Sequence, residues 1–141
     1  MAVRGWLVDK SAYVRMQLEQ AAEFKEWGSR IGRGLVRLAT VTRLKLGFSA
    51  RSGQAAWKAF AMPPLSLMPL EFLTPTMEER AREVQMLLAD RGQHRALSIP
   101  DLLIAATAER AGLTVLAVDK DFDPISEATK QPVEQLGLSS P

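Results

Sequence analysis

The fold of this chain is decided by the stretch Thr114-Val115-Leu116-Ala117-Val118-Asp119, which is apolar and rich in β-branched residues until it ends in a carboxylate. Such a run is typical of a strand buried on both faces of a parallel sheet. Near the start of the chain, Trp6-Leu7-Val8-Asp9 repeats the pattern of apolar residues followed by Asp. Because open α/β sheets bind ligands at the carboxyl ends of their strands, the two stretches predict an acidic site at that edge.

Two further acids extend this predicted site. Asp101 opens an apolar helical run, Pro100-Asp101-Leu102-Leu103-Ile104-Ala105-Ala106, and Asp121 follows Asp119 by two residues. Clustered carboxylates repel one another, so a divalent cation would stabilise the group. With no Cys and a single His in the chain, oxygen ligands favour Mg²⁺ or Mn²⁺ over zinc. Two alternatives stay open: Asp101 alone could be a helix cap, and Asp119 with Asp121 could form only a turn.

Helical and strand patterns alternate along the rest of the chain, which predicts an α/β fold. We expect a three-layer α/β/α arrangement around a central parallel sheet of four to five strands, as a single domain over residues 1–141 with a loose tail at about 137–141. The predicted strands are 4–9, 35–39, 65–70, 114–118 and 133–136. The predicted helices are 12–31 with a break near Gln20, 42–52, 54–61, 74–92, 98–112 and a short one after Phe122. In the helix from Thr42, we expect Leu44 and Phe48 to face inward, together with Leu46.

Composition and charge narrow the class of protein. The chain has 141 residues, 47% hydrophobic content and no Cys, and it lacks the run of about 20 apolar residues that a membrane span needs. The first strand starts so early that we expect no signal peptide and a cytoplasmic protein. Residues 25–58 hold eight bases against Glu26 alone, whereas residues 71–127 hold eleven acids against six bases. This asymmetry suits a polyanionic substrate, although a solvated helix face would explain the bases as well.

Several motifs, in order, resemble the PIN-domain nucleases. Leu7-Val8-Asp9-Lys10-Ser11-Ala12 resembles the opening of that family, in which an Asp ends the first strand and a Ser or Thr follows two residues later. The other matching stretches are Thr42 to Arg51, Pro100 to Ala106, Val115 to Phe122 and Gln131 to Glu134. The resemblance covers nearly the whole chain and is greatest to the VapC toxins of bacterial type II toxin–antitoxin pairs, in a mycobacterial branch.

The resemblance implies a PIN-like fold and a Mg²⁺- or Mn²⁺-dependent endoribonuclease that cuts structured RNA, commonly tRNA or ribosomal RNA. It also implies a VapB-type antitoxin as partner and a homodimer, whereas the expectation of no membrane partner rests on the lack of a long apolar run. By motif match, Asp9, Asp101 and Asp119 would hold metal or position water, and Asp121 would be a further ligand. Ser11 would donate a hydrogen bond within this cluster.

One position departs from the family pattern. The family places a metal-site Glu on the helix after the second strand, and the frame of Thr42 to Arg51 puts Lys45 there. Lys has three donors and a positive charge where a ligand oxygen is expected. Three explanations stay open: an engineered inactive form, natural degeneration, or a slip of the helix register. No Glu lies between Glu26 and Glu71 to take the role instead.

Other readings of the sequence remain as alternatives. The chain could be a catalytically dead PIN domain that only binds RNA or an antitoxin. A receiver-like phosphoacceptor domain lacks its paired acids after the first strand, and a triad of Ser11 with His94 lacks the nucleophile elbow. The apolar residues Trp57, Phe60, Met62 and Met68 suggest core, a dimer interface or a groove for an antitoxin helix.

Overall fold

One parallel sheet of five strands lies at the centre of the protein. The computed structural model describes residues 4–18, 23–118 and 120–137. The strands are β1 Trp6–Val8, β2 Val36–Ala39, β3 Leu70–Glu71, β4 Thr114–Ala117 and β5 Val133–Gln135. Their order is β3-β2-β1-β4-β5, and Leu7 pairs with Arg37 on one side and Val115 on the other. This arrangement confirms the predicted parallel sheet and places β1 in its middle.

The described helices cover both faces of this sheet. They are α1 Lys10–Met16, α2 Glu23–Gly32, α3 Thr40–Phe48, α4 Gly53–Ala61, α5 Pro75–Asp90, α6 Ile99–Ala111 and α7 Asp123–Thr129. The predicted first helix is interrupted, since α1 ends at Met16, while Gln20 lies outside the described residues. In the part of the chain that the structure describes, no helix combines the length and the apolar character needed to cross a membrane.

Alternating side chains of the strands feed two separate cores. Leu7 and Val115 point to one face, where residues of α5, α6 and α7 cover them. Val8 and Leu116 point to the other face, into a cluster that includes Trp27 of α2. This alternation is what a strand period of two residues requires. The result is the predicted three-layer α/β/α fold.

Two local expectations were wrong. Residues 65–70 do not form a strand: Leu65–Leu67 is a short 3-10 helix, and only Leu70–Glu71 pairs, at the sheet edge. Pro69 immediately precedes the pair, and its lack of an N–H group limits the ladder. Leu44 and Phe48 do not face inward; they are 69% and 91% exposed.

Candidate active site

Asp9 lies where β1 passes into α1 and is almost completely buried. It is the N-cap of α1, and its Oδ2 accepts hydrogen bonds from the backbone N–H of Ser11 at 3.1 Å and from Ser11 Oγ at 2.6 Å. Ser11 Oγ in turn accepts the N–H of Val118 at 3.1 Å, just beyond the end of β4. Ser11 therefore joins the carboxyl ends of two neighbouring strands at Asp9.

Asp101 is the third residue of α6 and is 9% exposed. The cap of this helix is Ser98, whose Oγ accepts the backbone N–H of Asp101 at 3.2 Å. The capping role that the sequence left open for Asp101 therefore belongs to Ser98. The Asp101 carboxylate instead faces Lys45.

Lys45 reaches both acids from α3. One turn before it, the fully buried Thr42 donates its hydroxyl to the carbonyl oxygen of Val8 at 3.2 Å, which fixes α3 against the end of β1. Since residues three apart share a helix face, Lys45 is directed to the same place. Its Nζ lies 3.5 Å from Asp9 Oδ1 and 3.7 Å from Asp101 Oδ1. Lys45 is therefore the α3 side chain that meets the acids, as the motif frame places it.

Of the two remaining acids, Asp119 and Asp121, the structure describes Asp121. Asp119 lies outside the described residues. Asp121 is exposed, and its charge reaches Asp101. Burial raises the pKa of Asp101 above its ordinary value, and the charge of Asp9 raises it further. The Lys45 ammonium and the Ser98 hydrogen bond lower the same pKa, and Asp121 adds a smaller upward contribution.

The chemistry of this group suits an internal ammonium better than a metal ion. Among the described residues, which exclude Asp119, no three His, Asp or Glu side chains come together as a metal site. Two carboxylates share the Lys45 ammonium, and this positive charge would repel a second cation placed beside it. The described residues therefore do not fit a divalent cation while Lys45 lies between Asp9 and Asp101.

A pocket that the sequence analysis missed opens beside these charges. It has a volume of about 340 Å³ and is lined by Lys10, Val41, Leu44, Lys45, Phe48 and Pro100. The Lys10 ammonium donates a hydrogen bond to Ser49 Oγ at the end of α3. Leu44 and Phe48 follow Val41 at helical spacing, and such a stripe predicts a buried face equally well. The sequence therefore held no signal that this face is open.

The apolar residues between Trp57 and Met68 that the sequence singled out lie partly in the core and partly on the surface. Met68 is buried, whereas Trp57 is 80% exposed and Met62 is about half exposed. Phe60 is half-buried, and the Arg43 guanidinium lies 5.8 Å from the centre of its ring. His94 is exposed.

The chain is similar to known proteins over nearly its whole length. The PIN domain family model matches residues 7–128. Ribonuclease VapC2 of Mycobacterium tuberculosis is 59% identical over 136 residues, covering 96% of this chain and 95% of that protein. Ribonuclease VapC21 of the same species is 40% identical over 131 residues, covering 92% and 91%.

A solved structure shares the fold at lower identity. It is described as a member of the VapBC family of toxin–antitoxin systems, VapBC-5 from Mycobacterium tuberculosis. The TM-score is 0.67 at 19% identity, and the match covers 94% of this chain and 99% of that one. With the motifs and the sheet order in place, the chain belongs to the PIN-domain family and, within it, to the VapC branch.

Proposed function

We propose that this protein is the toxin of a VapBC pair whose site is that of a Mg²⁺- or Mn²⁺-dependent endoribonuclease, and that Lys45 suppresses cleavage. The observation that carries the proposal is the position of the Lys45 Nζ within hydrogen-bonding reach of Asp9 and within ion-pair distance of Asp101. Lys at position 45, where the resemblance expects Glu, lacks the oxygen ligand. Its ammonium also places a positive charge where the cation would bind. Both changes oppose metal binding.

The motif match assigns the remaining roles. Asp9, Asp101 and Asp119 would hold the metal once position 45 carries a carboxylate, and Asp121 would add a ligand. Ser11 would keep the Asp9 carboxylate oriented, because it donates to Oδ2. A Mg²⁺ or Mn²⁺ ion held by these carboxylates would supply a water of lowered pKa and positive charge for the scissile phosphate.

RNA is the substrate that best suits the charge distribution. The basic segment 25–58 contains β2 and α3 and most of α2 and α4, and α3 borders the acids. Two relatives that match this chain over nearly its whole length are named ribonucleases. We therefore extend the proposal to structured RNA, of the tRNA or ribosomal RNA class.

The substitution Lys45→Glu tests the proposal. We expect the parent protein to leave total RNA intact with or without Mn²⁺, and the Lys45→Glu variant to bind Mn²⁺ by calorimetry and to cleave RNA. The matched control is Lys58→Glu, which makes the same charge change at an exposed residue of α4. That variant should remain inactive.

Equal cleavage by the parent and the Lys45→Glu variant would show that Lys45 does not suppress the reaction. A Lys45→Glu variant that binds Mn²⁺ but cleaves no RNA would instead support the second candidate function. In that case the protein acts as a PIN domain that only binds RNA or an antitoxin. The ion pairs of Lys45 favour this alternative as well, since they neutralise a site that no longer needs to hold metal.

A groove between the first two helices and the segment before β3 suits the antitoxin. It has a volume of about 500 Å³ and an apolar lining that includes Met16, Phe24, Ile31 and Leu67. An amphipathic segment laid along such a groove is a common recognition mode. We propose that a VapB-type antitoxin binds here, in the region of the early helices and residues 57–68.

Hydrogen exchange of the protein with and without its antitoxin tests this partner site. Protection should appear in α1, α2 and residues 57–68. Protection confined to α5 and α7, on the other face of the sheet, would contradict it. The homodimer that the resemblance implies and the cytoplasmic location that the composition predicts belong to the same proposal. Light scattering of the purified protein measures the oligomeric state.

A further inference from the structure

Two neighbouring side chains of α3, Leu44 and Phe48, form an exposed apolar ridge, with the Phe48 ring 91% exposed. The ridge separates the pocket beside the acids from a second pocket of about 520 Å³, which is lined in part by Arg43 and Phe60. Leu44 and Phe48 form part of the wall of both pockets. One aromatic ring therefore has an open cavity on each side.

Each of these cavities has at least one basic residue in its wall. Lys10 and Lys45 belong to the wall of the first, where Lys45 is paired with Asp9 and Asp101, and Arg43 belongs to the wall of the second. Lys10 contacts Ser49, but an ammonium has three donors and retains the capacity to bind an anion. An aromatic surface flanked by cations at both sides is the arrangement that single-stranded nucleic acids bind.

We propose that this ridge receives an unpaired loop of RNA, with the Phe48 ring stacked between two successive bases and Lys10 bound to the adjacent phosphate. The inference rests on the proposed function, because the first pocket adjoins the acids that would act on the scissile phosphate. Sequence-specific proteins usually read structured RNA at its loops, where unstacked bases are exposed. The ridge would accordingly select the loop that is presented to the acids.

Charge distinguishes RNA from a second copy of the chain as the occupant. Residues 27–70 contain no Asp or Glu, so Arg43, Arg51 and Lys58 have no acidic neighbours in sequence. A symmetric contact through this face would bring the same basic surface of two copies together, and like charges would repel. A polyanion is attracted to the same surface.

RNA binding by the parent protein tests the role of Phe48 directly, because binding is measured without cleavage. The probe is a fluorescein-labelled RNA hairpin with an unpaired loop, titrated in EDTA and followed by anisotropy. Phe48→Ala should weaken binding by about tenfold, whereas Phe48→Tyr should retain it. Phe72→Ala removes another exposed ring that lines neither pocket and should bind as the parent does. A fully paired duplex should bind the parent and Phe48→Ala equally.

The salt dependence of RNA binding in the same assay tests the role of Lys10. Loss of one phosphate contact to a single strand should reduce the slope of log K against log salt by about 0.7. Lys10→Ala should show this reduction, and Phe48→Ala should keep the parent slope. An unchanged slope for Lys10→Ala would remove the phosphate contact from the proposal.

Two results would overturn the inference. The first is equal affinity of the parent and Phe48→Ala for the hairpin. The second is conversion of a dimer to a monomer by Phe48→Ala in light scattering, which would identify a second copy as the occupant. Failure of the proposed function is separate: it appears as a Lys45→Glu variant that does not cleave RNA, whatever Phe48 does to binding.

Discussion

At the scale of single residues, the pKa of Asp101 reflects the opposing charges of the site. Burial and the Asp9 charge raise its pKa, and this outweighs the opposing effect of Lys45. The folded state therefore holds the Asp101 proton more tightly than the unfolded state does. The stability that this proton contributes is complete below the ordinary Asp range and is lost as pH rises through the raised pKa.

We predict that Asp101→Asn stabilises the protein at neutral pH and that this gain shrinks towards about pH 3, where the parent Asp is protonated. Urea unfolding at both pH values measures the difference. Asp90→Asn, which makes the same change at the exposed end of α5, is the control. A gain that grows as the pH falls would contradict the sign of the pKa shift.

Two glycines differ in what surrounds them. Gly5 has φ of +117°, and a Cβ there would lie 2.5 Å from the backbone oxygen of Leu35. Gly112 ends α6 with φ of +71°, and the three atoms nearest to a Cβ there would all belong to the Arg4 side chain. We predict that Gly5→Ala costs about 3 kcal/mol or more in unfolding free energy and Gly112→Ala about 1 kcal/mol, since only the Arg4 side chain can move aside. Equal losses in urea unfolding would contradict this reasoning.

At the scale of elements, α4 differs from the other long helices because none of its residues is buried. Its start is held by Ser52, whose Oγ accepts the N–H of Ala55 at 3.1 Å. The start of α5 is capped in the same way by Thr74, but α5 buries four side chains. Loss of the cap should therefore affect only local stability in α4, but the stability of the whole fold in α5.

We predict that Ser52→Ala speeds hydrogen exchange within α4 and leaves the urea midpoint nearly unchanged. Thr74→Ala should instead lower the global unfolding free energy by about 1 kcal/mol. The pair makes the same kind of change, loss of a capping hydroxyl. A lowered midpoint for Ser52→Ala would show that α4 unfolds together with the core.

The success of sequence reasoning also varies by element. The apolar run of β4 and the Ser98 to Gly112 helix were predicted because burial on both faces and capping chemistry leave local signals. Residues 65–70 were mistaken for a strand because Leu65 and Met68 are buried by tertiary contacts that their spacing does not reveal. The direction of α3 was set by Thr42 bonding to Val8, and Leu44 and Phe48 were exposed as a consequence. The positions of Asp9 and Asp101 could be anticipated from the apolar runs that they adjoin, and those of Ser11 and Lys45 from motif order.

At the scale of the whole molecule, Lys45 couples the site to the stability of the fold. The acids it contacts follow β1 and begin α6, and Lys45 itself belongs to α3. One ammonium therefore links three elements around the central strand. Its replacement by a carboxylate would place like charges together at the point where these elements meet.

We predict that Lys45→Glu lowers the unfolding free energy of the metal-free protein by about 2 kcal/mol and that Mn²⁺ restores it by binding the folded state. Thermal unfolding in EDTA and in Mn²⁺ measures both effects. The parent protein should give the same midpoint in both buffers, and so should Lys58→Glu. A Lys45→Glu variant as stable as the parent in EDTA would show that the acids tolerate one another without a cation.

The ion pairs of Lys45 also have a genetic consequence. The codons for Lys and Glu differ only at their first base, so a single transition exchanges the ammonium for a carboxylate. If that exchange restores cleavage as proposed, a population that carries this gene without an antitoxin would continually generate revertants that poison their own cells. Selection would then remove these cells, and the gene would persist with Lys at this codon wherever the antitoxin gene has been lost.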